Sequence, residues 1–234
     1  MSMKKKVVVL TGAGVSAESG IRTFRDSDGL WEEYRIEDVA TFDAWRKNQN
    51  LVLEFYNKRR TQLATVKPNP AHFALFALEE KYDVLIITQN VDDLHERSGS
   101  SKILHLHGEL TKVRSTLDEN LVYNIGYKEI NAGDNCEKGA QLRPHIVWFG
   151  EAVPLIEVAA EMVMEADILM VIGTSLLVYP AAGLLHYASP QCKKYLIDPG
   201  SLPVAGVPNL TIIKKTAGEG VPELVNKLLA EINN

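Results

Sequence analysis

The 234-residue chain has only two cysteines, Cys136 and Cys192. Two cannot build a disulfide framework, and sparse cysteine is typical of a reducing compartment, so a cytoplasmic location is expected. Basic residues are outnumbered: 25 Lys and Arg against 30 Asp and Glu give a net charge of −5. That balance argues against the broad positive footprint of a nucleic-acid binder. No stretch reaches the ~18 consecutive apolar residues of a membrane helix, so no membrane partner is expected. Lys4-Lys5-Lys6 is followed by only Val7 to Leu10 before Thr11-Gly12, too short an apolar run for a secretory leader. Internal repeats and low-complexity tracts are missing as well. What remains is an ordinary globular composition, 46% hydrophobic and 24% charged, long enough for a sizeable core.

Short β-branched runs alternate with helical patterns, the mark of βαβ units and a parallel sheet. Strands are expected at Val7–Thr11, Val84–Thr88, Ile168–Ile172, Lys194–Ile197 and Leu210–Ile213. All are apolar on both faces, as when helices cover both sides. Asn69-Pro70 reads as an N-cap with proline at the first helical position, opening Ala71–Lys81. Pro154, Pro180 and Pro222 open Leu155–Glu165, Ala181–Ala188 and Glu223–Ile232 in the same way.

Two stretches interrupt the alternation. Arg22–Pro68 offers a loop and a helical region from about Thr41 to Leu63, without a convincing strand. Lys112–Leu142 is polar and reads as turns with short strands at most. The expected fold is therefore α/β: a Rossmann-like parallel sheet with helices on both faces (1–21, 69–111, 143–234), plus a small domain formed by two insertions (22–68, 112–142).

Gly12-Ala13-Gly14-Val15-Ser16-Ala17 follows the first strand and fits G-x-G-x-x-G/A. Glycine there lets the backbone approach a pyrophosphate, although a tight turn without a ligand has the same spelling. A hydride-transfer dehydrogenase would place an acidic residue at the end of a second strand ~20 residues on. Here that region, Thr23 to Trp31, reads as a loop.

Further motifs make the pattern specific. The run from Gly12 through Glu18-Ser19-Gly20-Ile21-Arg22-Thr23-Phe24-Arg25 resembles the first signature of the sirtuins. Thr88-Gln89-Asn90-Val91-Asp92-Asp93-Leu94-His95 is similar to their second, and His107-Gly108 to their third. Arg143-Pro144-His145-Ile146-Val147-Trp148-Phe149-Gly150-Glu151 resembles their substrate-strand motif, and Gly173-Thr174-Ser175-Leu176 with Val178 a later one. The blocks occur in the family's order along nearly the whole chain.

The resemblance implies an NAD-consuming protein-lysine deacylase acting on acylated protein substrates, a monomer. In that chemistry the acyl oxygen attacks the ribose carbon carrying nicotinamide, and a base-assisted ribose hydroxyl then completes the transfer to give O-acyl-ADP-ribose. His107 is the implied general base, suited by a pKa near operating pH. His105, two residues earlier on the same expected strand, competes for that role. His72, His95, His145 and His186 are expected at the surface or in helices and loops. For NAD binding the resemblance implies Gly12, Ala13, Gly14, Ser16, Ala17, Glu18, Thr23, Phe24 and Arg25 on the first loop. It adds Gln89, Asn90 and Asp92 on the second, then Gly173, Thr174, Ser175, Asp198 and Ala217. Asn90 and Asp92 are also plausible helix caps. Val147, Trp148, Phe149, Gly150 and Glu151 are expected to pair with the substrate backbone by strand addition.

Two departures from the family stand out. Asp198 occupies a turn where relatives often have asparagine, although a carboxylate still accepts from ribose hydroxyls. Many sirtuins also hold a structural zinc through four cysteines between the His-Gly and Arg-Pro motifs. That interval contains only Cys136, and such a site needs four ligands, so no zinc is expected.

Tyr56 and Arg59, three apart on one helical face, resemble the Tyr-x-x-Arg pair of the desuccinylating, demalonylating branch. Guanidinium binds carboxylate bidentately and a phenol adds a hydrogen bond, favouring succinyl or malonyl over acetyl. An exposed Arg59-Arg60 turn with Tyr56 packed inside would share the spacing. Ala40 is a candidate small wall nearby. A primarily deacetylating enzyme and a mono-ADP-ribosyltransferase are the alternatives.

Overall fold

The computed structural model describes residues 4–21, 30–31, 34–200, 204 and 206–232. The chain begins with β1 (Lys6–Thr11), a short β2 (Leu30–Trp31) and β3 (Tyr34–Arg35), then α1 (Ile36–Val39), α2 (Phe42–Lys47), α3 (Gln49–Thr65) and α4 (Pro70–Leu78). β4 (Asp83–Thr88), α5 (Leu94–Ser98), β5 (Ile103–His105), β6 (Gly108–Ser115), β7 (Val122–Asn124) and β8 (Leu142–Ile146) follow. The last elements are α6 (Ile156–Met164), β9 (Ile168–Ile172), β10 (Lys193–Ile197), β11 (Leu210–Ile213) and α7 (Ala217–Ile232).

β1 lies inside a parallel sheet of order β11-β10-β9-β1-β4-β5. Val7 stands opposite both Val84 and Ile168, and this in-phase register sends alternate side chains to opposite faces. Val7 and Val9 meet Leu75 of α4 and Leu224 of α7. Val8 and Leu10 meet Val163 of α6 and Leu184. Both faces are thus covered, which is why β1 is one apolar run, each buried valine or leucine adding about 1.5–3 kcal/mol. From β1 the chain continues to β4 and β5 on one side and later to β9, β10 and β11 on the other. A crevice opens at the carboxyl ends of β1, β4 and β9, where strand order reverses.

A second body of packing gathers α1, α2 and α3 against an antiparallel sheet of order β7-β6-β8. Trp45, Phe55 and Tyr56 from the helices meet Val113, Ile146 and Trp148 there. This is the small antiparallel unit beside the Rossmann-like sheet, and both parts of the expected α/β architecture are present.

Several elements differ from expectation. The region Thr41–Leu63 is two helices, because Thr41 caps α2 through the Ala44 amide (3.0 Å) and Asn48 starts α3 through that of Leu51 (3.1 Å). A short antiparallel pair, β2 and β3, stands where no strand was expected. β11 is an edge strand and is not buried on both faces: Thr211 and Ile212, which point to opposite faces, are both exposed at this margin of the sheet. Ala181–Tyr187 is a 3-10 stretch. α7 begins at Ala217 and carries Pro222 inside it, since Glu18 caps its start by accepting from the Gly218 amide at 2.6 Å. His72 and His95 lie in helices but are fully buried, their rings 4.9 Å apart. The α4 start matches expectation, Asn69 accepting from Ala71 at 3.0 Å, and Asn69 also reaches Val15 O at 2.8 Å. Among the described residues no helix is long and apolar enough to cross a membrane.

Candidate active site

The crevice deepens into a cavity of about 420 Å³ between the large sheet and the small antiparallel unit. Its floor at one end is backbone. Gly12 N donates to Ile172 O (3.0 Å) and Gly14 N to Gly173 O (2.8 Å), so the loops after β1 and β9 lie against each other. A Cβ on Gly14 would sit 2.6 Å from the Gly173 Cα, closer than any side chain tolerates. Gly173 itself has φ +59°, a left-handed conformation that favours glycine.

The loop after β4 forms the next wall. Asn90 donates its amide hydrogens to Gly12 O and Ser16 Oγ, both at 3.2 Å. Ser16 Oγ donates to Asp92 Oδ2 at 3.0 Å, and the Leu94 amide donates to the other Asp92 oxygen at 3.2 Å. Asp92 therefore does help start α5. Burial pushes its carboxyl pKa up, and these two hydrogen bonds only partly offset that. Gln89 Nε2 donates to Thr174 Oγ1 at 3.3 Å, joining this loop to the one after β9.

His107 lies in the turn between β5 and β6 rather than on a strand with His105. Gly108, at φ +83°, explains the pairing of histidine with glycine: a Cβ there would collide with the His145 carbonyl. His107 Nδ1 is 3.0 Å from the Gln89 carbonyl oxygen. A carbonyl only accepts, so Nδ1 carries the hydrogen and Nε2 is left with its lone pair. Burial lowers the His107 pKa, the Gln89 bond working the other way. His105 has a different task. Its Nε2 bonds Glu96 at 2.7 Å and its Nδ1 lies 3.2 Å from Asn90 O. Burial opposes its charged form, yet Glu96 and Glu109 raise its pKa overall. It does not line the cavity, whereas His107 does.

At the far end α3 supplies Tyr56 and Arg59, both buried, with Ala40 beside them in the cavity wall. Arg60 is buried too but turned away, donating to Leu110 O (2.8 Å) and Asn57 Oδ1 (2.6 Å). The exposed basic turn that the spacing also allowed is thereby excluded. Above them runs 147–151. Val147 N donates to His107 O (2.9 Å), Phe149 N to Ala40 O (3.0 Å), Trp148 N to Glu151 Oε2 (2.8 Å) and Glu151 N to Trp148 O (3.0 Å). Those amides serve the chain itself.

The cavity wall thus unites every expected site residue outside the 22–29 stretch, including Ala13, Ala17, Ser175, Gly150, Asp198 and Ala217. Thr23, Phe24 and Arg25 lie outside the described residues. Glu18 also lines the cavity while capping α7. Sequence reasoning missed Gln62, Thr216 and Tyr179, which line it as well. Gln62 was findable, since positions 56, 59 and 62 share one helical face.

Comparison with known proteins agrees with this geometry. Residues 12–180 match the Sir2 family model. An NAD-dependent protein deacylase of Bacteroides thetaiotaomicron is 53% identical, over 96% of this chain and 98% of that one. One from Helicobacter pylori is 54% identical over the same shares. Among solved structures, a Sir2 homologue–NAD complex superposes with TM-score 0.87 at 40% identity, covering 98% of this chain and 91% of that one. A mutant Sir2 homologue bound to ADP-ribose gives TM-score 0.89 at 39% identity, covering 98% and 94%. The chain belongs to the Sir2 family and is an NAD-dependent protein deacylase.

Proposed function

We propose that this deacylase removes succinyl and malonyl groups from protein lysines, and acetyl more weakly. The supporting observation is the buried pair Tyr56 and Arg59 on one face of α3, facing the cavity while neighbouring Arg60 is committed to Leu110 and Asn57. A guanidinium held in a desolvated wall favours an acyl chain that ends in a carboxylate.

The residues present fit NAD. Gly12, Gly14 and Gly173 let the loops after β1 and β9 pack backbone to backbone, so this end of the cavity is lined by main chain that a pyrophosphate can approach closely. Thr174, Ser175, Asp198 and Ala217 line the same end for phosphate and ribose contacts. When bound there, NAD would supply a ribose carbon able to accept the acyl oxygen with nicotinamide as the leaving group. Asn90, with both amide hydrogens committed, offers its Oδ1 to the carboxamide hydrogens, and Asp92 holds that loop through Ser16. His107 Nε2 takes the proton of a ribose hydroxyl, its ring fixed by the Gln89 carbonyl. The 147–151 segment offers the substrate peptide its carbonyls, most of its amides being taken.

We further read the insertions 22–68 and 112–142 as one small domain, supported by the packing of α3 on β6 and β8. Its polar loop is read as zinc-free. Cys136 Sγ bonds Ser115 Oγ at 3.3 Å, and Asn57 ties the loop to α3 through Ile130 O at 2.9 Å. A cytoplasmic monomer acting on proteins, without nucleic-acid or membrane partners, completes the reading.

The test is kcat/KM with NAD on matched succinyl- and acetyl-lysine peptides, with nicotinamide release followed. A succinyl preference supports the reading. Acetyl preference makes it a deacetylase, and ADP-ribosylated protein without free lysine makes it a transferase.

A further inference from the structure

Trp148 is buried, and its indole nitrogen lies 3.0 Å from the Tyr56 hydroxyl oxygen. An indole N–H can only donate, so the Tyr56 oxygen is the acceptor in this bond. The phenol's own proton must point elsewhere. Tyr56 is completely buried, and among the described residues its hydroxyl has no hydrogen bond besides the one from Trp148. Tyr56 and Trp148 both border the cavity. With the indole on one side of the hydroxyl and the cavity bordering the ring, the cavity is the side left for an acceptor to meet that proton.

The indole is not free to turn away. The Arg143 guanidinium carbon lies 3.4 Å from its ring centroid. Arg143 is held by both Glu151 oxygens, at 2.7 and 3.0 Å, and by Ile146 O at 3.0 Å. Glu151 also accepts from the Trp148 backbone amide at 2.8 Å. Trp45 packs nearby, ring centroids 5.7 Å apart. Glu151, Arg143 and Trp148 thus form a brace whose last member aims a donor at Tyr56.

We propose that Trp148 is a specificity-determining positioning residue: by donating to Tyr56 it commits the phenol proton to the cavity, so that this wall selects an acyl group bringing a hydrogen-bond acceptor, a terminal carboxylate above all. The inference rests on the Tyr56–Arg59 acyl-pocket reading above. Trp148 acts through Tyr56 and touches no reacting atom. An acetyl group ends in a methyl and leaves the phenol proton unmet, whereas a carboxylate satisfies it.

The experiment measures the ratio of kcat/KM for succinyl- over acetyl-lysine peptides in wild type, Trp148→Phe, Tyr56→Phe and the double variant. Phenylalanine keeps a ring beneath Arg143 while removing the donor and part of the ring volume, so the ratio between the two substrates, not the rate on either, is the readout. Trp148→Phe should lower the ratio about tenfold, and the double variant should fall no further than Tyr56→Phe. A purely structural loss lowers both substrates together and leaves the ratio in place. If wild type prefers succinyl and Tyr56→Phe lowers the ratio while Trp148→Phe leaves it within about twofold, the role of Trp148 is overturned and the pocket stands. If wild type shows no preference and Tyr56→Phe is silent, the pocket reading itself has failed. A second readout needs no variant to fold. When the phenol proton is bound, its oxygen becomes a better acceptor, so the Trp148 indole N–H resonance should move on adding succinyl peptide with NAD, and less on adding acetyl peptide. Equal movement with both peptides overturns the proposal.

Discussion

At the glycine end of the cavity, the loops after β1 and β9 meet backbone to backbone, and a Cβ on Gly14 would stand 2.6 Å from the Gly173 Cα. At the aromatic end the wall is side chain: Tyr56, Trp148 and Arg59, with Ala40 beside them. Backbone surfaces cannot be retuned by exchanging one residue for another of similar size, because there is no side chain to exchange. A side-chain wall can. The glycine end thus suits a ligand common to every turnover, and the aromatic end one that varies between related enzymes. His107 stands where the two meet, fixed by Gln89 of the β4 loop and itself holding Val147.

The largest effect should come from that junction. His107→Ala is expected to lower kcat by about 10²–10⁴-fold on succinyl and acetyl peptides alike, with NAD binding by calorimetry largely kept. A loss confined to one acyl group would move His107 into the specificity wall and break the division. Next in size is Gly14→Ala. The added methyl must push the β9 loop away, weakening NAD binding by roughly a hundredfold while leaving the succinyl-to-acetyl ratio unchanged. A shifted ratio would show that the two ends are mechanically coupled.

Arg59→Met follows, an effect on one substrate. Losing a charge-assisted hydrogen bond to the acyl carboxylate should lower succinyl kcat/KM by roughly 10- to 100-fold and acetyl far less. Equal losses on both peptides would remove Arg59 from acyl recognition. Arg60→Met is the control, since Arg60 is bound to Leu110 O and Asn57 and faces away from the cavity. It should lower the melting temperature and leave the ratio alone.

The same contrast explains how far the sequence could be read. The glycine end is local: Gly12 and Gly14 follow a strand whose apolar run announces it, so strand, turn and loop are written in neighbouring residues. β4 and β9 were legible for that reason. β5 was legible only in part: a strand was expected to carry both His105 and His107, but it is three residues long and ends at His105, where its pairing with β4 stops. The start of α7 was misread because its cap, Glu18, comes from the other end of the chain. Pro222 looked like a first-turn proline only because that cap is invisible locally. The aromatic end is non-local throughout. Spacing placed Tyr56 and Arg59 on one face, but it could not tell which of Arg59 and Arg60 faces the cavity. Nor could it place Trp148 against Tyr56, 92 residues away.

The smallest expected effect, a few-fold change, is the sharpest probe of the division. A general base works unprotonated, and burial lowers the His107 pKa. On acetyl-lysine, kcat/KM should therefore rise with pH through a midpoint below the ordinary histidine value of about 6.5 and be flat near neutrality. Asp92, raised by burial, and His105, raised by Glu96 against its own burial, sit on the loop and strand that both substrates share. Whatever they add should move both profiles together. The succinyl substrate brings one further titration, its own carboxylate, near the glutamate value of about 4.3. Only the ionised form pairs fully with Arg59, so below about pH 5 succinyl turnover should fall more steeply than acetyl turnover. Arg59→Met should restore a common slope. If the wild-type profiles superimpose down to about pH 4, the aromatic end does not sense the acyl charge, and its side chains serve packing rather than recognition.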